Sequence, residues 1–310
     1  YWHIKRHNKA IELFELCGDK PDYAPFYISR GILYQAGNYN KTSPLIDFKR
    51  AVTVDPSEWR SWHYLSSYYL KTGEFQQELN TSEEANKLFP GNPITGIDYA
   101  KALINTGSFK KCLKVLENIT ILPQEGAREG HDLFEITNLS IAVGLMEQNK
   151  FNEAIRYINE SKKWPENLGA GMPYDPDVRF QHYLSSFCYR VMGKNETAES
   201  YSNQILDYSS KNWRGDSDPT NIYIANMVFD KAGKHHEAAY SMEKWKNVQD
   251  SLSNWRISPG LQSTKAQWIM ATFSENKAES DRLGKEISAI PAETRFRLLL
   301  KAADIINTKK

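Results

Sequence analysis

Cysteine is scarce. The 310 residues hold three, Cys17, Cys112 and Cys188, odd in number and far apart. That spacing excludes a disulfide framework and a CxxC metal or redox pair, and it suits buried thiols that pack as small hydrophobes. Charge of one sign is lacking as well: Lys plus Arg number 39 against 38 Asp plus Glu, a net charge of +1. No polybasic stretch appears, since His3-Ile4-Lys5-Arg6 and the terminal Lys309-Lys310 are both short. A surface that tracks phosphates needs clustered Lys and Arg, so no nucleic-acid partner is expected. No apolar run approaches the roughly 20 residues of a membrane span, and no membrane insertion is expected.

Catalytic signatures are also missing. There is no GxSxG, and no Cys–His pairing follows from spacing. Gly169-Ala170-Gly171 has no GK[ST] ending, follows no strand and sits among prolines, so it reads as an ordered connection rather than a phosphate loop. His3 and His7 are four apart, but no Cys or carboxylate joins them at ligand spacing. His235-His236-Glu237 departs from HExxH, and adjacent helical histidines point about 100° apart. Asp175 and Asp177 flank Pro176 ahead of a helix, where Asp serves as an N-cap. The expectation is therefore no enzyme, no metal and no cofactor. Asn-x-Ser/Thr triplets such as Asn195-Glu-Thr197 match by chance unless the chain is eukaryotic and secreted.

What the chain does have is a repeated hairpin. In the stretch Trp62 to Pro90, residues Trp62, Leu65, Ser66 and Tyr69 share one helical face. Gly73 supplies a left-handed end to that helix. Phe75, Leu79, Ser82 and Ala85 face inward from a second helix, which Pro90 stops. Turn residues recur at Gly37, Gly73, Gly107, Asn149, Gly193 and Gly233, at separations of 36, 34, 42, 44 and 40. Asn is the best substitute for glycine in a left-handed helix end. A prior helix carries Ala10, Phe14 and Cys17 at inner-face spacing and reads as the second half of a repeat. Pro44 suits a first helical turn, with Thr42 or Ser43 as its cap. The segment 124–130 is a polar insertion. Beyond Pro259 a degenerate hairpin is expected around Trp268, Ile269, Thr272, Leu283 and Ile287, then a last helix, Arg295 to Ile306, covering the exposed end of the stack.

The order Trp-x2-Leu-x3-Tyr…Gly-x-Phe…Ala…Pro resembles the tetratricopeptide repeat, a helix–turn–helix unit of 34 residues. The resemblance covers about 23–250. It implies an all-α fold, a right-handed α-solenoid of about six hairpins over 1–256, with a degenerate repeat and helical C-terminal cap over 257–310 in the same solenoid. The segment Trp164 to Asp177 also resembles a stretch in the repeat tails of large bacterial proteins that carry an N-terminal β-rich domain. With no leader visible and a first residue other than Met, the expectation is a fragment of a longer chain. A reducing cytoplasmic setting fits the thiols, and a periplasmic one is compatible.

The repeat resemblance further implies a concave groove lined by the first helix of each pair. Its expected lining is Tyr27, Gly31 and Tyr34, then His63, Ser67 and Lys71, then Ile97, Lys101 and Asn105. It continues with Leu139 and Val143, then Tyr183, Phe187 and Arg190, then Tyr223, Met227 and Asp230. Partner contact is expected at Tyr27, Tyr34, His63, Lys71, Asn105, Tyr183, Arg190 and Tyr223, since aromatics mixed with polar donors suit peptide recognition. The expected role is a non-catalytic scaffold holding a protein, a peptide or its own N-terminal domain. The alternative is an accessory module of a carbohydrate-processing protein, its groove aromatics stacking on glycan.

Overall fold

The computed structural model describes residues 7–37, 43–123, 128–211, 218–255, 259–290 and 294–309. Among these the regular structure is helical: α1 (His7–Cys17), α2 (Ala24–Gly37), α3 (Pro44–Val54), α4 (Trp59–Thr72), α5 (Phe75–Leu88), α6 (Pro93–Asn105), α7 (Phe109–Asn118) and α8 (Glu129–Glu147). There follow α9 (Phe151–Glu160), α10 (Arg179–Val191), α11 (Asn195–Lys211), α12 (Pro219–Lys231), α13 (His235–Asn254), α14 (Thr264–Phe273), α15 (Lys277–Ser288) and α16 (Thr294–Thr308). The fold is an all-α solenoid of tetratricopeptide-like hairpins.

One backbone device builds the hairpins. Gly73, Gly107, Gly193 and Gly233 have φ of 76°, 73°, 75° and 71°, and Asn149 and Glu275 take the same left-handed conformation at 62° and 58°. The next residue then donates its N–H to a carbonyl five positions back. Glu74, Lys150, Lys194, Lys234 and Asn276 bond Tyr69, Leu145, Tyr189, Phe229 and Ala271 at 2.9 Å, and Ser108 bonds Leu103 at 2.7 Å. This is the Schellman closure, which satisfies helix-end carbonyls while reversing the chain. Beyond Pro259, α14 and α15 are joined by the same closure. Starts are fixed by side chains: Asn92 Oδ1 accepts from Ile94 N at 2.9 Å ahead of Pro93, and Asp218 Oδ1 from Thr220 N at 2.8 Å ahead of Pro219. Ser43 occupies the N-cap of α3 without a side-chain bond, and Thr42 lies outside the described residues.

In six of the hairpins the fourth residue of the second helix points into its pair. Asp47, Glu78, Cys112, Ala154, Ala198 and Ala238 hold that place in α3, α5, α7, α9, α11 and α13, and all are buried. Close helix crossing explains the small residues, so the two acids need an account of their own.

The chain divides into two compact units. Unit 1 is Tyr1–Gly130 with Asn167–Gly169, and unit 2 is His131–Glu166 with Ala170–Lys310. In unit 1, the loop around Asn167 clasps the end of α7: Asn167 Nδ2 donates to Leu116 O at 2.9 Å and Ile119 O at 2.8 Å, and its carbonyl accepts from Ile121 N at 2.8 Å. In unit 2, the expected C-terminal cap is α16. It covers more than the final hairpin, lying across the first helices α8, α10, α12 and α14.

Candidate partner-binding faces

Unit 1 presents a polar first-helix face whose side chains bridge successive repeats. Lys71 of α4 donates to Gln35 Oε1 of α2 at 3.2 Å. His63 Nδ1 of α4 meets Asp98 Oδ2 of α6 at 2.7 Å. Asn105 of α6 donates to Glu78 Oε2 of α5 at 3.2 Å, and Lys101 pairs with Glu129 at 2.6 Å. Arg60 and Lys71 are exposed, and His63, Ser67, Leu70 and Asn105 are half-buried. The face therefore offers cations, amide and imidazole groups between aliphatic patches.

Of the contacts expected on α2, Tyr27 and Tyr34 lie inside. The Tyr27 hydroxyl donates to Asp19 O at 3.1 Å and Pro21 O at 2.8 Å, and Tyr34 packs with Ala10, Ile11 and Leu33. Gly31 explains the difference. A Cβ there would stand 2.7 Å from the Phe48 ring, so Gly31 marks the crossing of α2 on α3. Tyr27, Arg30, Gly31 and Tyr34 are then the core quartet equivalent to Trp62, Leu65, Ser66 and Tyr69. The outer flank moves one residue on, where Ile32 and Gln35 are half-buried, while Ile28 joins the core with Ala24, Tyr27 and Ala51. Gly37, expected as the turn, is still part of α2, so counting from it shifts the register by one; residues 38–42 lie outside the described residues.

Unit 2 has an apolar first-helix face, and α16 covers it. Leu139, Val143, Phe187, Tyr183 and Tyr223 are all buried. Phe296 packs edge-on against Trp268 of α14, with ring centroids 5.3 Å apart. Arg295 pairs with Glu135 of α8 at 2.8 Å and lies over the Phe180 ring of α10 at 5.5 Å. Lys301 pairs with Glu147 at 2.8 Å. At the far end Lys309 donates to the carbonyls of Met146 at 3.0 Å and Glu147 at 2.9 Å, and to Asn149 Oδ1 at 2.5 Å. A cation at a helix C-terminus satisfies open carbonyls and complements the helix dipole.

Tyr183 and Tyr223, both expected as partner contacts, meet each other beneath α16. Burial raises both phenols, Tyr223 to about 12, and the two hydroxyls are hydrogen-bonded to each other. Arg190 is exposed at the rim of a cavity of about 740 Å³, whose walls include Phe187, Leu206, Val228 and Ile306.

His131, Asp132 and Glu135 bring ligand-type atoms within 4.8 Å of one another. Glu135 Oε1 already accepts from Gln181 Nε2 and Arg295 Nη1, each at 2.8 Å. That guanidinium disfavours a second cation there. His131 instead stacks on Trp164, with ring centroids 3.5 Å apart, a contact no spacing in the sequence signals. Asp177, expected at a helix start, accepts from Arg179 N at 3.1 Å and also from Asn221 Nδ2 of α12 at 2.8 Å. His235 and His236 are exposed, and His3 lies outside the described residues.

No family model and no curated protein matches the sequence. Among solved structures, the chain is similar to a tetratricopeptide repeat protein from Parabacteroides merdae, at 12% identity over 90% of this chain and 98% of that one, TM-score 0.48. YrrB, a TPR protein with an unusual peptide-binding site, matches at 16% identity over 74% of this chain and 98% of its own, TM-score 0.43. PilF of Pseudomonas aeruginosa matches at 16% identity over 80% and 97%, TM-score 0.43.

Proposed function

We propose that the chain is a non-catalytic protein-interaction scaffold that captures a peptide or helix on its first-helix faces. The seat of α16 supports this reading: the first helices of unit 2 hold an amphipathic helix by apolar burial along its length and by cationic side chains at its two ends. In unit 1 the corresponding face carries no helix among the described residues. It offers Arg60, His63, Lys71 and Asn105, a mixture of directional donors and aliphatic surface suited to an incoming chain segment. Arg190 adds a cation at the rim of the unit 2 cavity. A glycan site would use exposed, coplanar rings, and Tyr183, Phe187, Tyr223 and Trp268 are instead inside unit 2.

The test is site-specific photocrosslinking of the full chain in lysate. A benzophenone side chain at Ser67, on the α4 face, should yield discrete protein adducts that weaken when His63 and Lys71 are changed to Ala. The same group at Gln77, exposed on α5, should yield none of them. Equal adducts at both positions, or adducts indifferent to His63 and Lys71, would overturn the assignment.

A further inference from the structure

Two consecutive repeats bury an acid where the next four place Cys or Ala. The first acid has a cation built against it. Asp47 is enclosed, and Arg30 Nε donates to Oδ1 at 3.1 Å and to Oδ2 at 3.0 Å while Nη2 donates to Oδ1 at 2.6 Å. Among the described residues, the second does not. Glu78 is 1% exposed, and on the core quartet of α4 the place of Arg30 is taken by Leu65. What reaches Glu78 comes from α6: the Asn105 amide bonds Oε2 at 3.2 Å, Asp98 acts against its charge and Lys101 in favour of it. From α4, His63 contributes only through Asp98, to which its Nδ1 is tied at 2.7 Å. A neutral amide cannot replace a guanidinium for a carboxylate shut away from water.

We propose that Glu78 is a proton switch for unit 1: protonated, it lets α4, α5 and α6 pack closely, and ionised, it leaves an unneutralised carboxylate beside Asp98 that loosens their junction. The groups it touches are those of the polar face. Asn105 is its direct partner, and the Asp98–His63 pair is the link from α6 back to α4, so proton release at Glu78 reaches the surface that carries Arg60, Ser67 and Lys71. The switch stands on the burial and neighbours of Glu78 and holds whether or not that surface captures a peptide.

Burial pushes the Glu78 carboxyl up to about 7, with the Asn105 hydrogen bond opposing part of that rise. The sign follows. An acid raised in the folded state makes folding favour the proton. Its stabilising contribution is complete below the ordinary carboxylate range, is lost as pH rises towards about 7, and changes little beyond. The opening equilibrium of the junction should increase by up to about tenfold per pH unit across that window.

Hydrogen exchange on the full chain from pH 5 to 8, corrected for intrinsic rates, tests this in peptides covering α4 to α6. The parent should lose protection there as pH rises and level off above neutrality. Glu78→Gln, which keeps the shape and the Asn105 contact but cannot ionise, should remain protected. Carboxyl-carbon NMR with labelled glutamate, assigned by difference from Glu78→Gln, should show a Glu78 midpoint near neutrality. An identical pH profile in the variant, or a midpoint in the ordinary carboxylate range, would overturn the switch. Neither result bears on the crosslinking test of partner capture.

Discussion

Arg30 and Asp47 show how far one buried pair can depend on both its members. Burial works against the arginine charge, but its bonds to Asp47 and Asp19 outweigh that and hold its pKa above the ordinary value. Removing the cation alone strands the carboxylate. Arg30→Met should cost about 3–5 kcal/mol in denaturant unfolding. Adding Asp47→Ala, the residue later repeats use there, should restore most of the loss; a double variant as unstable as the single would mean that shape, not charge, holds the position. Two left-handed residues give a second contrast. Glu275 has φ of 58° in a place where four other turns use glycine, so Glu275→Gly should raise stability by about 0.4–1 kcal/mol, read as a higher Tm. Asn149→Gly should gain little, because Asn tolerates this conformation and its Oδ1 holds Lys309.

At the scale of the element, α16 decides what unit 2 can do. Leu299 is fully buried in it, and seven of its residues are buried in all. Leu299→Ala should cost about 2–5 kcal/mol from lost burial and cavity formation. Hydrogen exchange should quicken in α10 and α12 as well as in α16, because those helices lie under it. Exchange quickening in α16 alone would show that α16 covers nothing they need. The helix itself was readable from its apolar spacing, and so were the five turns at Gly73, Gly107, Asn149, Gly193 and Gly233, since left-handed ends demand particular residues; the turn at Glu275 was not. Its seat was harder to read. Local periodicity says which side of a helix is apolar and not what it meets, and Arg295 finds Glu135 at a separation of 160 residues. The signal lay in the first helices instead. In α8, Leu139, Ile141, Ala142, Val143 and Met146 are apolar on several sides, and such a helix must be covered all round. In α4 the same flank reads His63, Ser67 and Lys71, and stays polar. His63, Lys71 and Asn105 were therefore legible as face residues. Tyr27 and Tyr34 were not, because Gly37, which the turn spacing singles out, is helical, and counting from it shifts the register by one. The acid at Glu78 was visible, but its missing cation could be seen only once Arg30 was found on Asp47.

At the scale of the whole molecule, the repeats should share their stability unequally. A hairpin array gains its stability mainly from each unit packing on its neighbours, so damage spreads a short way and fades. Unit 1 follows that pattern among its described residues: the bonds from α2 to α4 and from α4 to α6 join adjacent repeats. Unit 2 has an additional constraint, because α16 ties the last part of the chain to α8, and Lys309 caps α8 across 162 to 163 residues of sequence. Contacts that distant make an opening of α8 an opening of α16 too. Lys309→Ala removes the donor from the carbonyls of Met146 and Glu147, a loss of about 1–2 kcal/mol for a cation in a partly buried site at a helix end. The expected result is faster exchange at the end of α8 and, with it, along α16, while peptides from α4 and α6 keep the parent rates. In intermediate denaturant, amides of α8 and α16 should likewise exchange as one cooperative group, and those of α2 to α6 as a graded series. If α8 responded to Lys309→Ala while α16 stayed protected, the long-range tie would be a surface contact, and unit 2 would behave as an ordinary array of neighbours.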